Sequence, residues 1–269
     1  MKTKPVFVHI RNTQNLGDLS CCPADSFSVF DQCDRIDFSQ WNRVPAGVPL
    51  IFGGGGLFMM HTMHVFAKAA KTHPVAIWGA GLNFPTVDFT PAVESALVGY
   101  LKQCTGPIGV RNPEFAARHG FKHVACPSVL SHQFDQALSN RRPDQRVPLL
   151  AYEHIDARFA GSRYPALTNN HGSFHWALRH LVRASTVVTN SYHGAYWATL
   201  LGARVALWNP EQFGNRFTDL GFGQFPTVKS FFEVEQLKFR PEFPFSDLNE
   251  SRQSNTRFII DILSWLECL

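Results

Sequence analysis

Residues 49–81 read PLIFGGGGLFMMHTMHVFAKAAKTHPVAIWGAG, and the fold turns on this stretch. Two short apolar runs, 49–52 and 74–78, flank a segment, 59–71, that reads as helix. Neither run alternates apolar with polar residues, which suits strands covered on both faces. Strand, crossover helix and strand make the repeating unit of a parallel sheet. Working outward, further strands are predicted over 5–10, 106–110 and 123–126, then over 148–152, 185–189 and 204–208. Helices are predicted over 91–103, 113–119, 174–184, 193–201 and 252–267. Between the two sets lies NRRPDQRVP, residues 140–148, polar and proline-bearing as a domain boundary should be. The expected architecture is α/β: two Rossmann-like parallel-sheet domains, 1–140 and 141–269, facing a cleft.

Composition narrows the function classes. Hydrophobic residues make up 45% and charged residues 17% of the 269, the balance of a well-buried globular chain. The net charge of +4 is not gathered into a basic run, so nucleic acid is not an expected partner. It suits a small anionic substrate or a peripheral contact with an anionic membrane. No apolar run approaches the ~18 residues of a membrane-spanning helix, and the N-terminus lacks a signal cleavage site. Six cysteines, at 21, 22, 33, 104, 126 and 268, contain no CxxC pair and no zinc-ligand rhythm. A cytoplasmic protein with reduced thiols is the expectation.

Ligands of open α/β sheets bind beyond the carboxyl ends of the strands, and the unusual residues of this chain gather there. Asn15-Leu16-Gly17-Asp18 follows the first strand. Gly53-Gly54-Gly55-Gly56 follows the second and is expected to lead directly into a helix, where backbone N–H groups and the helix dipole favour an anion. It is neither a Walker A loop nor GxGxxG, and a tight turn needing no ligand is the alternative. Gly79-Ala80-Gly81 reads equally well as a packing turn. Arg111, before Asn112-Pro113 at a predicted helix start, can present a planar fork to carboxylate or phosphate; a surface salt bridge is the competing reading. His193 in Asn190-Ser191-Tyr192-His193-Gly194 is placed for proton transfer, against the simpler reading of a capping or core histidine. His61 and His64 flank the helix after the glycines. His171 and His175 lie four apart, but Gly172 stands where a zinc protease motif has glutamate. Asp18 is a candidate general base or a turn former.

This ordered set resembles the polysaccharide pyruvyl transferase family, which is marked by an NxGD turn, a GGGG-F element, a GxG turn, an Arg after a mid-chain strand and a late S-x-H-G segment. Here these are Asn15–Asp18, Gly53–Gly56 with Phe58, Gly79–Gly81, Val110-Arg111 and Ser191–Gly194 with Ala195 and Ala198. The resemblance implies two domains similar to GT-B glycosyltransferases and phosphoenolpyruvate as co-substrate, with no metal or other cofactor. The acceptor it implies is a polysaccharide or lipid-linked glycan. By position, Arg111 takes the anion-binding role and His193 the place beside the reacting centre. Asn15, Gly17, the glycines 53–56, Ser191 and Gly194 are the remaining expected substrate contacts, with Asp18 as base. Many members carry Arg two residues before the histidine, where this chain has Ser191; Arg216 is the expected compensating cation. A nucleotide-sugar glycosyltransferase and a non-catalytic glycan- or nucleotide-binding module are the rival readings.

Overall fold

The computed structural model describes residues 4–11, 14–85, 88–155, 157–159, 164–170, 172–209, 217, 225–237 and 247–269. The chain divides into two compact units. The first comprises Met1–Thr13, Asp18–Leu130 and Asn249–Leu269; the second comprises Gln14–Gly17 and Ser131–Leu248.

Six strands build the first unit: β1 (Val6–His9), β2 (Arg35–Asp37), β3 (Leu50–Gly53), β4 (Val75–Ala80), β5 (Ile108–Val110) and β6 (Lys122–His123). Their order is β2-β1-β3-β4-β5-β6 and every pairing is parallel. The short α1 (Leu16–Leu19) has Leu16 and Gly17 in the second unit and Asp18 and Leu19 in the first, while α2 (Met63–Ala70), α3 (Pro91–Leu101) and α4 (Pro113–His119) run between the strands. Strand alternation sorts the core onto two faces. Val6, Val8, Leu50, Phe52, Val75 and Ile77 pack with Phe66 of α2 and Leu97 and Leu101 of α3. Phe7, Ile51, Ala76 and Trp78 point the other way. Both faces are apolar, which is why these strands show no polar alternation.

Five strands build the second unit: β7 (Val147–Glu153), β8 (Ala166–Thr168), β9 (Ala184–Thr189), β10 (Arg204–Trp208) and β11 (Thr227–Val228). They lie in the order β11-β10-β9-β7-β8, again all parallel. Helices α5 (Gln133–Ser139), α6 (Phe174–Leu181), α7 (Tyr192–Leu200) and α8 (Phe231–Gln236) accompany them. All nine residues of α7 are buried, so it is a core helix without a solvent face. Leu149, Ala151, Val188 and Ala206 share one side of this sheet. Tyr152 points to the opposite side, where its ring meets Trp197 of α7 edge-on at 6.3 Å.

The last helix, α9 (Leu248–Glu267), covers the second face of the first sheet. Phe258, Ile262 and Leu266 recur every four residues on its buried stripe and pack with Phe7, Ile51 and Trp78. Asn255 is fully buried: its Oδ1 accepts from Trp78 Nε1 at 2.9 Å, and its Nδ2 donates to the carbonyl of Ala125 at 3.1 Å. The expected split at 140/141 therefore differs from the observed one in three ways, one being that Gln14–Gly17 belongs to the second unit. The first unit ends at Leu130, because α5 packs on α6 through Phe134 and Phe174. Residues 249–269 return to the first unit, because its sheet needs apolar cover on both faces.

Both sheets reverse their strand order at an equivalent point. β1 carries β2 on one side and β3 on the other, while β7 carries β8 and β9. The crevice beyond the carboxyl ends at such a reversal is where open α/β sheets receive ligands. His9 and Gly53 end the strands of the first reversal; Glu153 and Thr189 end those of the second. No helix among the described residues is long and apolar enough to cross a membrane.

Candidate functional site

In the second unit the structure brings Asn15, Gly17 and His193 together. Asn15 Oδ1 accepts from the backbone N–H of Gly17 at 3.0 Å and from Asn169 Nδ2 at 2.9 Å, and the N–H of Leu16 donates to the carbonyl of Asn169 at 2.7 Å. The turn is thereby laced to the carboxyl end of β8. A Cβ on Gly17 would fall 2.0 Å from His193 Nδ1, so only glycine lets the imidazole lie against this turn. His193 is the second residue of α7 and is buried, with the rings of Tyr192 and Trp197 at 5.0 and 5.1 Å.

The neighbours of His193 have structural tasks. Ser191 is the N-cap of α7, its Oγ accepting from the N–H of Gly194 at 3.3 Å, a common device for an otherwise orphan helix donor. Gly194 has no room for a side chain: a Cβ would meet Thr189 Oγ1 at 2.4 Å and Tyr152 Cδ1 at 2.5 Å. Asn190 ties the ends of β9 and β7, accepting from the N–H of His154 at 2.6 Å and donating to the carbonyl of Ala157 at 3.0 Å. These contacts account for the crowding of polar residues around His193 and hold its backbone still.

In the first unit Asp18, Arg111 and the glycine turn form one neighbourhood around Cys21. Gly54 and Gly55 have φ of 72° and 74°, in the left-handed region glycine favours. A Cβ on Gly54 would fall 2.0 Å from the carbonyl oxygen of Cys21, and one on Gly55 would fall 3.2 Å from Asp18 Oδ1. Burial pushes the Cys21 thiol well above its ordinary pKa, the hydrogen bond with Cys126 at 3.3 Å adds to this, and Arg111 opposes it while Asp18 reinforces it. Arg111 is only 2% exposed, which removes the surface salt bridge as its explanation. Its N–H donates to the carbonyl of Ala80 at 2.9 Å, and the following Asn112 caps α4, Oδ1 accepting from Phe115 N–H at 2.7 Å.

The glycine run does not lead directly into a helix, contrary to expectation. α2 starts at Met63, and Phe58 first forms a parallel bridge with Leu82. The helix-dipole argument for an anion at Gly53–Gly56 falls with it. The N–H of Gly54 is engaged by the carbonyl of Trp78 at 2.9 Å, and the carbonyl of Gly55 by the N–H of Gly81 at 3.0 Å. Gly56 abuts Asn83. The run shapes a close-packed turn against Cys21 and Asn83. Gly79, with φ of 64°, sits at a register shift of β4 where a Cβ would meet Pro127 at 2.7 Å, so it too is a packing position.

Of the other histidines, His61 is exposed, His64 and His175 are half-buried, and His171 lies outside the described residues, as does Arg216. Sequence reasoning missed three residues at the strand-order reversals. His9 ends β1 and is 4% exposed; burial holds its pKa down to about 4. Glu153 ends β7, its carboxylate accepting from the N–H of Phe159 at 2.9 Å and from Arg158 at 3.2 Å. Asn169, following β8, is 1% exposed, and its Oδ1 has no hydrogen-bond donor among the described residues. Polar residues closing apolar strands were the available signal: Val6-Phe7-Val8 runs into His9, and Leu150-Ala151-Tyr152 into Glu153.

No family model and no curated protein matches the chain. Among solved structures, a functionally uncharacterized protein from Klebsiella pneumoniae subsp. pneumoniae NTUH-K2044 is similar, with a TM-score of 0.50 and 14% identity. The match covers 85% of this chain and 94% of that one, a likeness of fold.

Proposed function

We propose that this chain transfers the pyruvyl group of phosphoenolpyruvate to a sugar of a polysaccharide or lipid-linked glycan, forming a cyclic ketal. The observation that carries the reading is the seating of His193. Two motifs of the family resemblance, more than 170 residues apart in the chain, meet in one contact, because Gly17 lacks the Cβ that would displace the His193 ring.

In the proposed reaction His193 donates a proton to the methylene carbon of phosphoenolpyruvate, and the central carbon takes positive character. A sugar hydroxyl adds there, losing its proton to a base for which Asp18 is the proposed residue. Phosphate departs with its bonding electron pair, and a second hydroxyl of the same sugar closes the ketal and releases the second proton. Arg111 is proposed for the donor's anionic groups, its guanidinium offering a bidentate fork. Arg216 remains the proposed second cation on the strength of its place in the sequence.

The test is incubation with phosphoenolpyruvate and a panel of lipid-linked and nitrophenyl glycosides. Phosphate release should accompany a pyruvyl mass increment on the glycoside, and His193→Ala should lower turnover by ~10²–10⁴-fold. Release of nucleotide from a sugar nucleotide, or glycan binding without turnover of either donor, would replace the proposal by one of its rivals.

A further inference from the structure

A cavity lies at the other end of the second sheet. It measures about 360 Å³ and is walled by Asn140, Arg142 and Gln145 from the segment entering β7, by His175 and Arg179 of α6, and by Arg183 just before β9. These residues precede their strands, so the cavity belongs to the amino-terminal edge of the sheet, whereas Asn190 and His193 follow β9 at its carboxyl edge. Among the described residues that line it, four side chains are cationic or protonatable and none is aspartate or glutamate. Among the described residues none of the three arginines is ion-paired, unlike Arg35, Arg118 and Arg158.

The walls are built rather than incidental. His175 and Arg179 lie four apart, hence on one face of α6. Arg183 is half-buried, and its Nε donates to the carbonyl of Gln145 at 3.3 Å, which ties the guanidinium to the segment entering β7. Three guanidinium groups around one concavity repel one another, and a dianion or trianion relieves that repulsion while accepting their forks. The volume falls at the small end of ligand pockets, about 300–1,000 Å³, and suits a small molecule.

We propose that this cavity binds a small soluble phosphorylated anion with two or more charged groups, at a site separate from the one assigned to pyruvyl transfer. Inorganic pyrophosphate is the probe, titrated calorimetrically into the wild type, Arg179→Glu, Arg179→Gln and Arg111→Ala. Arg179 is exposed, so both of its variants should keep the wild-type circular dichroism and melting temperature. The expected result is a saturable site weakened at least ~10-fold in both Arg179 variants, as loss of a charged hydrogen-bond partner predicts, and unchanged in Arg111→Ala. Affinity that survives in the Arg179 variants, or vanishes only in Arg111→Ala, overturns the proposal. So does binding to phosphatidylglycerol vesicles with none to free pyrophosphate. Failure here leaves the pyruvyl transfer reading untouched, because no residue is shared.

Discussion

Mild acid should destabilise the first unit through one histidine. His9 ends β1 at 4% exposure, and its Nδ1 has no hydrogen-bond partner among the described residues. Burial lowers its pKa from 6.5 to about 4; Asp25 and Asp37 pull it up, while Arg11 and Arg35 push it down. Because the folded value is depressed, the unfolded chain binds the proton first as pH falls, so stability is full above pH ~6.5 and declines between ~6.5 and ~4. At ~1.36 kcal/mol per pH unit, the loss is about 2 kcal/mol by pH 5 and about 3 kcal/mol by pH 4. Urea unfolding followed by tryptophan fluorescence, on the wild type and His9→Gln at pH 7 and pH 5, measures it. The variant lacks the titrating group, so the stability gap between the two proteins should move by about 2 kcal/mol in the variant's favour at pH 5. A gap that stays constant between the two pH values would refute the reasoning, because His9 would then titrate alike in both states.

Gly17→Ala should cost ~1–3 kcal/mol as an overpacked core position and depress pyruvyl transfer, because its Cβ would occupy the place of the His193 ring; wild-type melting and turnover together would count against the seating argument. Asn255→Ala strands the indole N–H of fully buried Trp78, a loss of ~1–3 kcal/mol readable as a lower urea midpoint. Arg111→Ala should weaken phosphoenolpyruvate binding by ~2–5 kcal/mol, and Arg111→Lys should restore little of it, since an ammonium lacks the planar fork; calorimetry showing near-normal affinity in both would remove Arg111 from the site.

The central strands were legible because their chemistry is lopsided. Leu50-Ile51-Phe52 and Val187-Val188 are apolar on both faces, and a strand buried on both sides has no other composition available. The edges were not. β2 is Arg-Ile-Asp, half-buried throughout, and β11 has two residues, too short for a period to show. Asn112 marked a helix start, and it accepts the N–H of Phe115; Ser173 and Ser191 do the same for α6 and α7, a role the sequence reading does not draw from them. The glycine run misled because glycine reports only that a Cβ is unwelcome. Whether an anion or a neighbouring carbonyl excludes it is decided by Cys21, 33 residues away in the chain from Gly54. For the same reason residues 252–267 were legible as a helix, but the sheet it covers was not.

The return of α9 to the first sheet has a consequence for biosynthesis. A ribosome emits the chain from its N-terminus at ~5–20 residues per second, so the strands holding Phe7, Ile51 and Trp78 emerge well before Phe258 and Ile262 do. For several seconds after Leu130 is made, one apolar face of that sheet has only the cover that Phe27 and Phe30 give it. The second unit, whose sheet closes by Val228, is complete while the first still waits. Nascent chains stalled near residue 240 should therefore engage hydrophobic-binding chaperones through their earliest-made half, and release should follow the emergence of the last helix.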